Sequence, residues 1–197
     1  MKIQTEALLV DLANRTKQLI QDAELLKEKS EESLNYKQHA ESWSILECLE
    51  HLNLYGRFYL PEIKKRISEQ LALSSPSIAL QKGKSNPVFK SGWLGNYFAN
   101  SMLLKAKLNK MKTFQNMNPI NSKLDKQVIE EFLDQQTELL QLLEKSREIS
   151  LNKTKTAISI SKLIKLKLGD TFRFVIYHNQ RHMMQALRLR SVTLPHD

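Results

Sequence analysis

Ser44-Ile45-Leu46-Glu47-Cys48-Leu49-Glu50-His51-Leu52-Asn53-Leu54-Tyr55-Gly56-Arg57-Phe58-Tyr59-Leu60-Pro61-Glu62-Ile63-Lys64-Lys65-Arg66-Ile67 reads as a helix with its start signal attached. Ser44 followed three residues later by Glu47 fits a capping box, in which hydroxyl and carboxylate each satisfy an orphan backbone N–H. Ile45, Leu49, Leu52, Gly56, Tyr59, Ile63 and Ile67 then recur at helical spacing to about Leu73. Pro61 lies inside this run and predicts a kink near Phe58, because proline removes one rung of the hydrogen-bond ladder.

The same period appears on either side. Leu9, Leu12, Thr16, Leu19, Ala23 and Leu26 mark one buried stripe on a helix over about 3–29. A polar connection follows, from about Ser30 to Ser42. Pro76 and Pro87, with several serines, mark a long loop over 74–91. A shorter helix is expected over about 92–112, where Trp93, Tyr97 and Phe98 follow a helical core spacing. Ser122-Lys123-Leu124-Asp125 is a second capping sequence, leading into a helix through Ile129, Phe132, Gln136, Leu139, Leu140 and Leu143. Residues 154–168 alternate as a strand would, but a lone strand has no partner, so they read as an extended connection. Gly169-Asp170 opens the last helix, to about Arg190, with Asp170 as its N-cap. Four long helices and one long middle connection holding an extra short helix give an all-α four-helix bundle, and residues 1–197 read as a single domain.

Composition agrees. The chain has 197 residues, 41% of them hydrophobic, with only 5 glycines and 5 prolines, which excludes a disordered chain or a loop-rich sandwich. One cysteine, Cys48, forbids an internal disulfide and any cysteine-rich metal site, and reads as a small buried hydrophobe. The N-terminal residues lack the apolar stretch of a signal peptide, and no run is long enough to span a membrane, so a cytoplasmic protein is expected.

Of the five histidines, three stand out. His178 and His182 are four residues apart, so their rings leave one helix face a turn apart and can share one ion. His51 sits at the edge of the apolar stripe quoted above and points towards a neighbouring helix. If the second and last long helices pack together, three neutral nitrogens meet and leave coordination positions open for water or substrate. The plain alternative is three separate histidines, two on a surface and one at the bundle edge. His39 in a polar connection and His196 beside the C-terminus carry no evident role.

Two segments together resemble the DinB-like superfamily, a bundle family that includes metal-dependent thiol transferases. One is Ser42-Trp43-Ser44 leading into Glu50-His51-Leu52; the other is Tyr177-His178-Asn179-Gln180-Arg181-His182, followed by Gln185 and Arg188. The resemblance covers nearly the whole chain. It implies an up-down-down-up bundle and a nickel-, zinc- or similar-ion site built from His51, His178 and His182. It implies frequent homodimers, and either transfer of a low-molecular-weight thiol to a small-molecule electrophile or hydrolysis. The middle segment, about 74–121, is long and basic beside a minimal member, so the resemblance carries to the metal site and not to the substrate pocket.

Around those ligands, Glu47 and Glu50 are candidate outer carboxylates or general bases, although Glu47 already has a capping role. Tyr55 and Arg181 are candidates for the open side of the site, or else a core residue and a surface cation. Trp43 is expected to pack at the helix entry.

The net charge of +9 suggests an anionic partner. It is uneven: residues 61–113 carry ten basic and two acidic groups, and residues 161–197 seven and two. A second reading is therefore a non-catalytic bundle that binds an anionic partner through 61–113. The basic middle could attract an anionic thiol or an acidic membrane surface. No nucleic-acid motif accompanies it, so nucleic acid is a weak expectation.

Overall fold

The computed structural model describes residues 1–73, 88–103 and 113–190. Its long helices are α1 (Thr5–Lys27), α3 (Ile45–Ala72), α5 (Gln127–Lys145) and α6 (Leu168–Arg190); α2 (Glu31–Asn35) and α4 (Trp93–Met102) are shorter. Two antiparallel pairs complete the fold: β1 (Lys2–Gln4) with β2 (Val88–Lys90), and β3 (Lys155–Ile158) with β4 (Ser161–Lys167).

Contacts along the helices fix their directions. Lys27, at the end of α1, reaches Glu130 near the start of α5 (3.0 Å), and Arg147 beyond the end of α5 pairs with Glu6 at the start of α1. Those two helices are antiparallel. Arg57 pairs with Glu131 (2.6 Å) and Lys64 with Glu138 (3.5 Å), so α3 and α5 run parallel. His51 meets His182 while Tyr59 meets Phe174, so α3 and α6 are antiparallel. Helix α1 packs on α5 and α6, and so does α3. The order is up-down-down-up, as the family resemblance implied.

The core is split. One apolar cluster holds Leu8, Leu12, Tyr59, Leu139 and Phe172; the other holds Leu19, Leu49, Phe132 and Met183. Between them each long helix places buried polar residues: Thr16 on α1, His51 and Asn53 on α3, Gln136 on α5, His178 and Asn179 on α6. Burial without partners is costly, and the layer is largely self-satisfied. Thr16 Oγ1 donates to the Leu12 carbonyl (2.9 Å), Asn53 to the Val128 carbonyl (2.9 Å), and Asn179 to the Gln136 side-chain oxygen (3.0 Å). The bundle therefore has a polar waist, and the histidines are part of it.

Four expectations need correction. Residues 154–168 are not an extended connection but a hairpin: the partner of the first half is the second half, folded back through Ser159 and Ile160. Helix α5 starts after Asp125, whose carboxylate accepts the Gln127 N–H (2.8 Å), and Ser122 caps nothing among the described bonds. Asp170 is not an N-cap, because α6 already begins at Leu168. Its carboxylate instead accepts the Gly92 N–H at the start of α4 (2.8 Å), bonds Ser91, and pairs with Arg173 (3.1 Å).

The fourth concerns α4. Phe89 is fully buried and Phe98 packs partly on the core, but Trp93 is 84% exposed and Tyr97 64% exposed. Helix α4 turns its small face, Gly95 and Ala99, inward. A Cβ on Gly95 would lie 2.4–2.5 Å from the Asp170 side chain, so only glycine permits that approach. The aromatics are left outside. The second half of the expected 92–112 helix, like His196, lies outside the described residues. Helix α3 runs from Ile45 to Ala72 with Pro61 inside it.

Candidate metal centre

His51 owes its position to the capping box, which starts α3 at a fixed residue. Ser44 Oγ accepts the Glu47 N–H (3.2 Å) and a Glu47 oxygen accepts the Ser44 N–H (2.9 Å). Two turns into α3, His51 faces α6, where His178 and His182 lie a turn apart. One nitrogen from each ring falls within 4.8 Å of the others. His51 Nε2 and His178 Nε2 are 3.2 Å apart, close to the ~3.3 Å that a tetrahedral site with zinc–nitrogen bonds of about 2.0–2.1 Å requires.

All three rings are held neutral. Burial pushes His51 down to about 4 and His182 down to about 3, and holds His178 well below its ordinary value near 6.5. Neighbouring ring charges and Arg181 add to the shift at His178. Neutral imidazole is the form that ligates.

The outer nitrogens have partners. His51 Nδ1–H donates to the Met117 carbonyl (2.6 Å), which leaves its Nε2 lone pair facing the other rings. His182 Nδ1 is 3.1 Å from the Gln185 side-chain oxygen, with the same consequence. Such outer bonds fix the tautomer and the ring angle of a ligand. The donor set therefore fits a divalent ion of the zinc or nickel kind.

Met117 belongs to a strap over the site, a short 3-10 turn (Gln115–Met117) and the residues to Asn121. The Asn121 N–H donates to Glu47 (2.6 Å), Lys37 Nζ bonds the same carboxylate (2.7 Å), and Trp43 Nε1 donates to Asn118 (3.1 Å). Asn121 is left-handed (φ 63°), which an asparagine tolerates. The buried Glu47 carboxylate thus ties the start of α3 to the strap. Glu47→Gln is expected to cost about 1–3 kcal/mol, since charge-assisted bonds are weakened; chemical denaturation measures it.

Aromatic rings wall the site. Trp43 stands 4.6 Å from His51 and 5.5 Å from His182, Tyr55 is 4.5 Å from His178, and Phe174 stacks at 5.8 Å on His178. Burial raises the Tyr55 hydroxyl to about 12, so it stays protonated and can donate. Arg181 lies close enough for its charge to act on His178 and His182, and partial burial lowers its own pKa. Glu50 faces away and pairs with Arg57 (2.9 Å). Cys48 is fully buried, its thiol pushed up by burial. Sequence reading missed Met117 and Phe174, quoted Gln185 without a role, and gave Trp43 only a packing role. Gln185 had a local signal, three residues after His182; a backbone carbonyl from 66 residues away had none.

The metal-free protein should be acid-sensitive. The unfolded chain takes up protons near pH 6.5, whereas folded His51 resists to about pH 4 and His182 to about pH 3. Stability is complete above pH 6.5 and falls as the pH drops towards 4, by up to ~1.4 kcal/mol per pH unit for each ring. Denaturant midpoints from pH 7 to pH 4.5 test this, and a wild-type trend no steeper than that of a triple-alanine variant would refute it.

An up-down-down-up bundle with three converging histidines from two antiparallel helices defines a class. The family model of the DinB superfamily matches residues 14–186, and the chain belongs to that superfamily. No curated protein and no solved structure matches it. No helix among the described residues is long and apolar enough to cross a membrane.

Proposed function

We propose that this protein is a divalent-metal-dependent enzyme of the DinB-like type, with His51, His178 and His182 as ligands and a small-molecule substrate. The observation that carries this is the convergence of three neutral imidazoles, two buried and one half-buried, with the outer nitrogens of His51 and His182 engaged elsewhere. An ion held by three uncharged ligands keeps its full charge and draws a water or thiol towards its deprotonated form, which supports hydrolysis or transfer of a low-molecular-weight thiol. Thiol transfer is the reading the family resemblance favours.

The chain's own residues divide the remaining work. The Met117 carbonyl and Gln185 hold the His51 and His182 tautomers. Trp43, Tyr55 and Phe174 exclude bulk water, which strengthens electrostatic interactions at the site. The Tyr55 hydroxyl offers a proton donor and Arg181 a cation for an anionic substrate group. Glu47 acts by positioning the strap. Nickel and zinc are the ions proposed. A homodimer, which the resemblance implies, belongs to the same reading and is tested by the mass of the protein in solution.

Metal analysis of purified protein tests the proposal. Wild type is expected to carry about one ion per chain and the triple variant His51→Ala/His178→Ala/His182→Ala none. A wild type without stoichiometric metal, after incubation with zinc or nickel, would falsify the reading. In the alternative, a non-catalytic bundle binding an anion through 61–113, most of the basic residues lie outside the described ones. Among those described, Lys64 and Arg66 are already paired with Glu138, Glu62 and Glu69.

A further inference from the structure

Two parts of the chain contain no aspartate or glutamate: residues 70–124 and residues 149–169. Between them they hold thirteen of the thirty basic residues and none of the twenty-one acidic ones, so the +9 is concentrated there. The fold brings residues 88–103 of the first part against the β3–β4 hairpin of the second. Helix α4 packs on β4, and Lys167 Nζ donates to the Lys90 carbonyl (2.7 Å) just before α4 begins.

The outward side of this junction is apolar at its tips. On β4, Leu163, Lys165 and Lys167 share one face because strand side chains alternate, while Leu166 points into the core. Leu163 is 93% exposed, Ile160 in the hairpin turn is half exposed, and Lys155 and Lys165 are exposed beside them. Trp93 and Tyr97 stand out from α4. The nearby carboxylates are engaged: Asp170 is buried against Arg173, and Glu62 holds the Ala157 N–H and Arg66.

We propose that the β3–β4 hairpin and the exposed side of α4 form a docking surface for an anionic lipid bilayer. Protruding aliphatic side chains on a hairpin that also exposes lysines suit the headgroup boundary, where apolar tips leave water while the cations meet lipid phosphates, and the exposed tryptophan and tyrosine of the adjoining α4 are residue types that favour it. A nucleic acid or a soluble polyanion satisfies the lysines but gives Leu163 and Ile160 nothing apolar to enter. This surface is independent of the histidine centre.

The experiment is co-sedimentation of the full chain with vesicles of phosphatidylcholine alone or mixed with phosphatidylserine. Binding is expected only to the mixed vesicles and is expected to weaken with salt. Leu163→Asp with Ile160→Ser should lower partitioning about tenfold or more, since the inserted aliphatic area is lost. Lys155→Glu with Lys165→Glu should lower it about twentyfold. These positions are exposed, so thermal midpoint and metal content should match wild type. Wild type remaining in the supernatant with mixed vesicles overturns the proposal. So does undiminished binding by Leu163→Asp/Ile160→Ser, or preference for DNA or polyglutamate over the vesicles.

Discussion

Asp170→Ala is expected to destabilise the protein by about 3–5 kcal/mol, because it strands a buried charge. Asp170 is fully buried and Arg173 is 2% exposed. The guanidinium is neutralised by Asp170 and otherwise meets neutral groups, the oxygens of Ser91, Asn96 (3.2 Å) and Asn100 (3.1 Å) and the face of the Tyr177 ring (5.7 Å). Among the described residues its Nε has no partner and no second carboxylate pairs with it. The same carboxylate holds the first turn of α4 through Gly92, so α4 should loosen from α6. Urea denaturation measures the loss, and amide exchange in 93–102 shows where it falls. A double variant, Asp170→Leu with Arg173→Met, removes both charges and should recover most of the stability. If Asp170→Ala costs under about 1 kcal/mol, the ion pair is not holding α4.

The second large effect concerns metal. His178→Ala is expected to weaken binding of zinc or nickel by about a hundredfold or more. Apparent binding of about 10–16 kcal/mol by four-ligand zinc sites amounts to ~3 kcal/mol per ligand. His178 is buried, so a replacement water finds little room. His182→Ala should be the milder change, because that ring is nearer the surface. Competition against a chromophoric chelator gives the affinities. Saturating metal should raise wild-type stability by about 2.7 kcal/mol at a hundred times Kd and leave the triple variant unmoved. Equal affinities for wild type and His178→Ala would remove this ring from the ligand set.

Much of the bundle was legible because helix periodicity is local. Leu12-Thr16-Leu19 and Phe132-Gln136-Leu139 each placed a polar residue on a core stripe, and both are buried in the waist. The Ser44–Glu47 capping box formed as read, since all its atoms lie within one turn. His51, His178 and His182 could be nominated from their spacing and face. Whether they met depended on α3 packing antiparallel to α6, and the family resemblance supplied that expectation. The misread elements depend on partners that the pattern of a single element does not reveal. Residues 154–168 show an alternation that fits a strand or a linker until the second half is seen to pair with the first. Asp170 has the sequence of an N-cap, yet its carboxylate is taken by Gly92, Ser91 and Arg173. Trp93 and Tyr97 have core spacing, but Gly95 and Ala99 bring α4 closer to α6 on the opposite face.

By itself, then, the sequence determined the helices, their buried stripes, the capping box and the shared helix face of His178 and His182. Each of these follows from interactions within a few residues. Tertiary structure alone decided that the Met117 carbonyl would orient His51, that Glu47 would hold the strap, and that Asp170 would clamp α4. It also brought α4 against the β3–β4 hairpin. Those outcomes join residues 66 to 79 positions apart at the site and the clamp, where closure is driven by burial of the shared core and leaves no periodic trace in the chain.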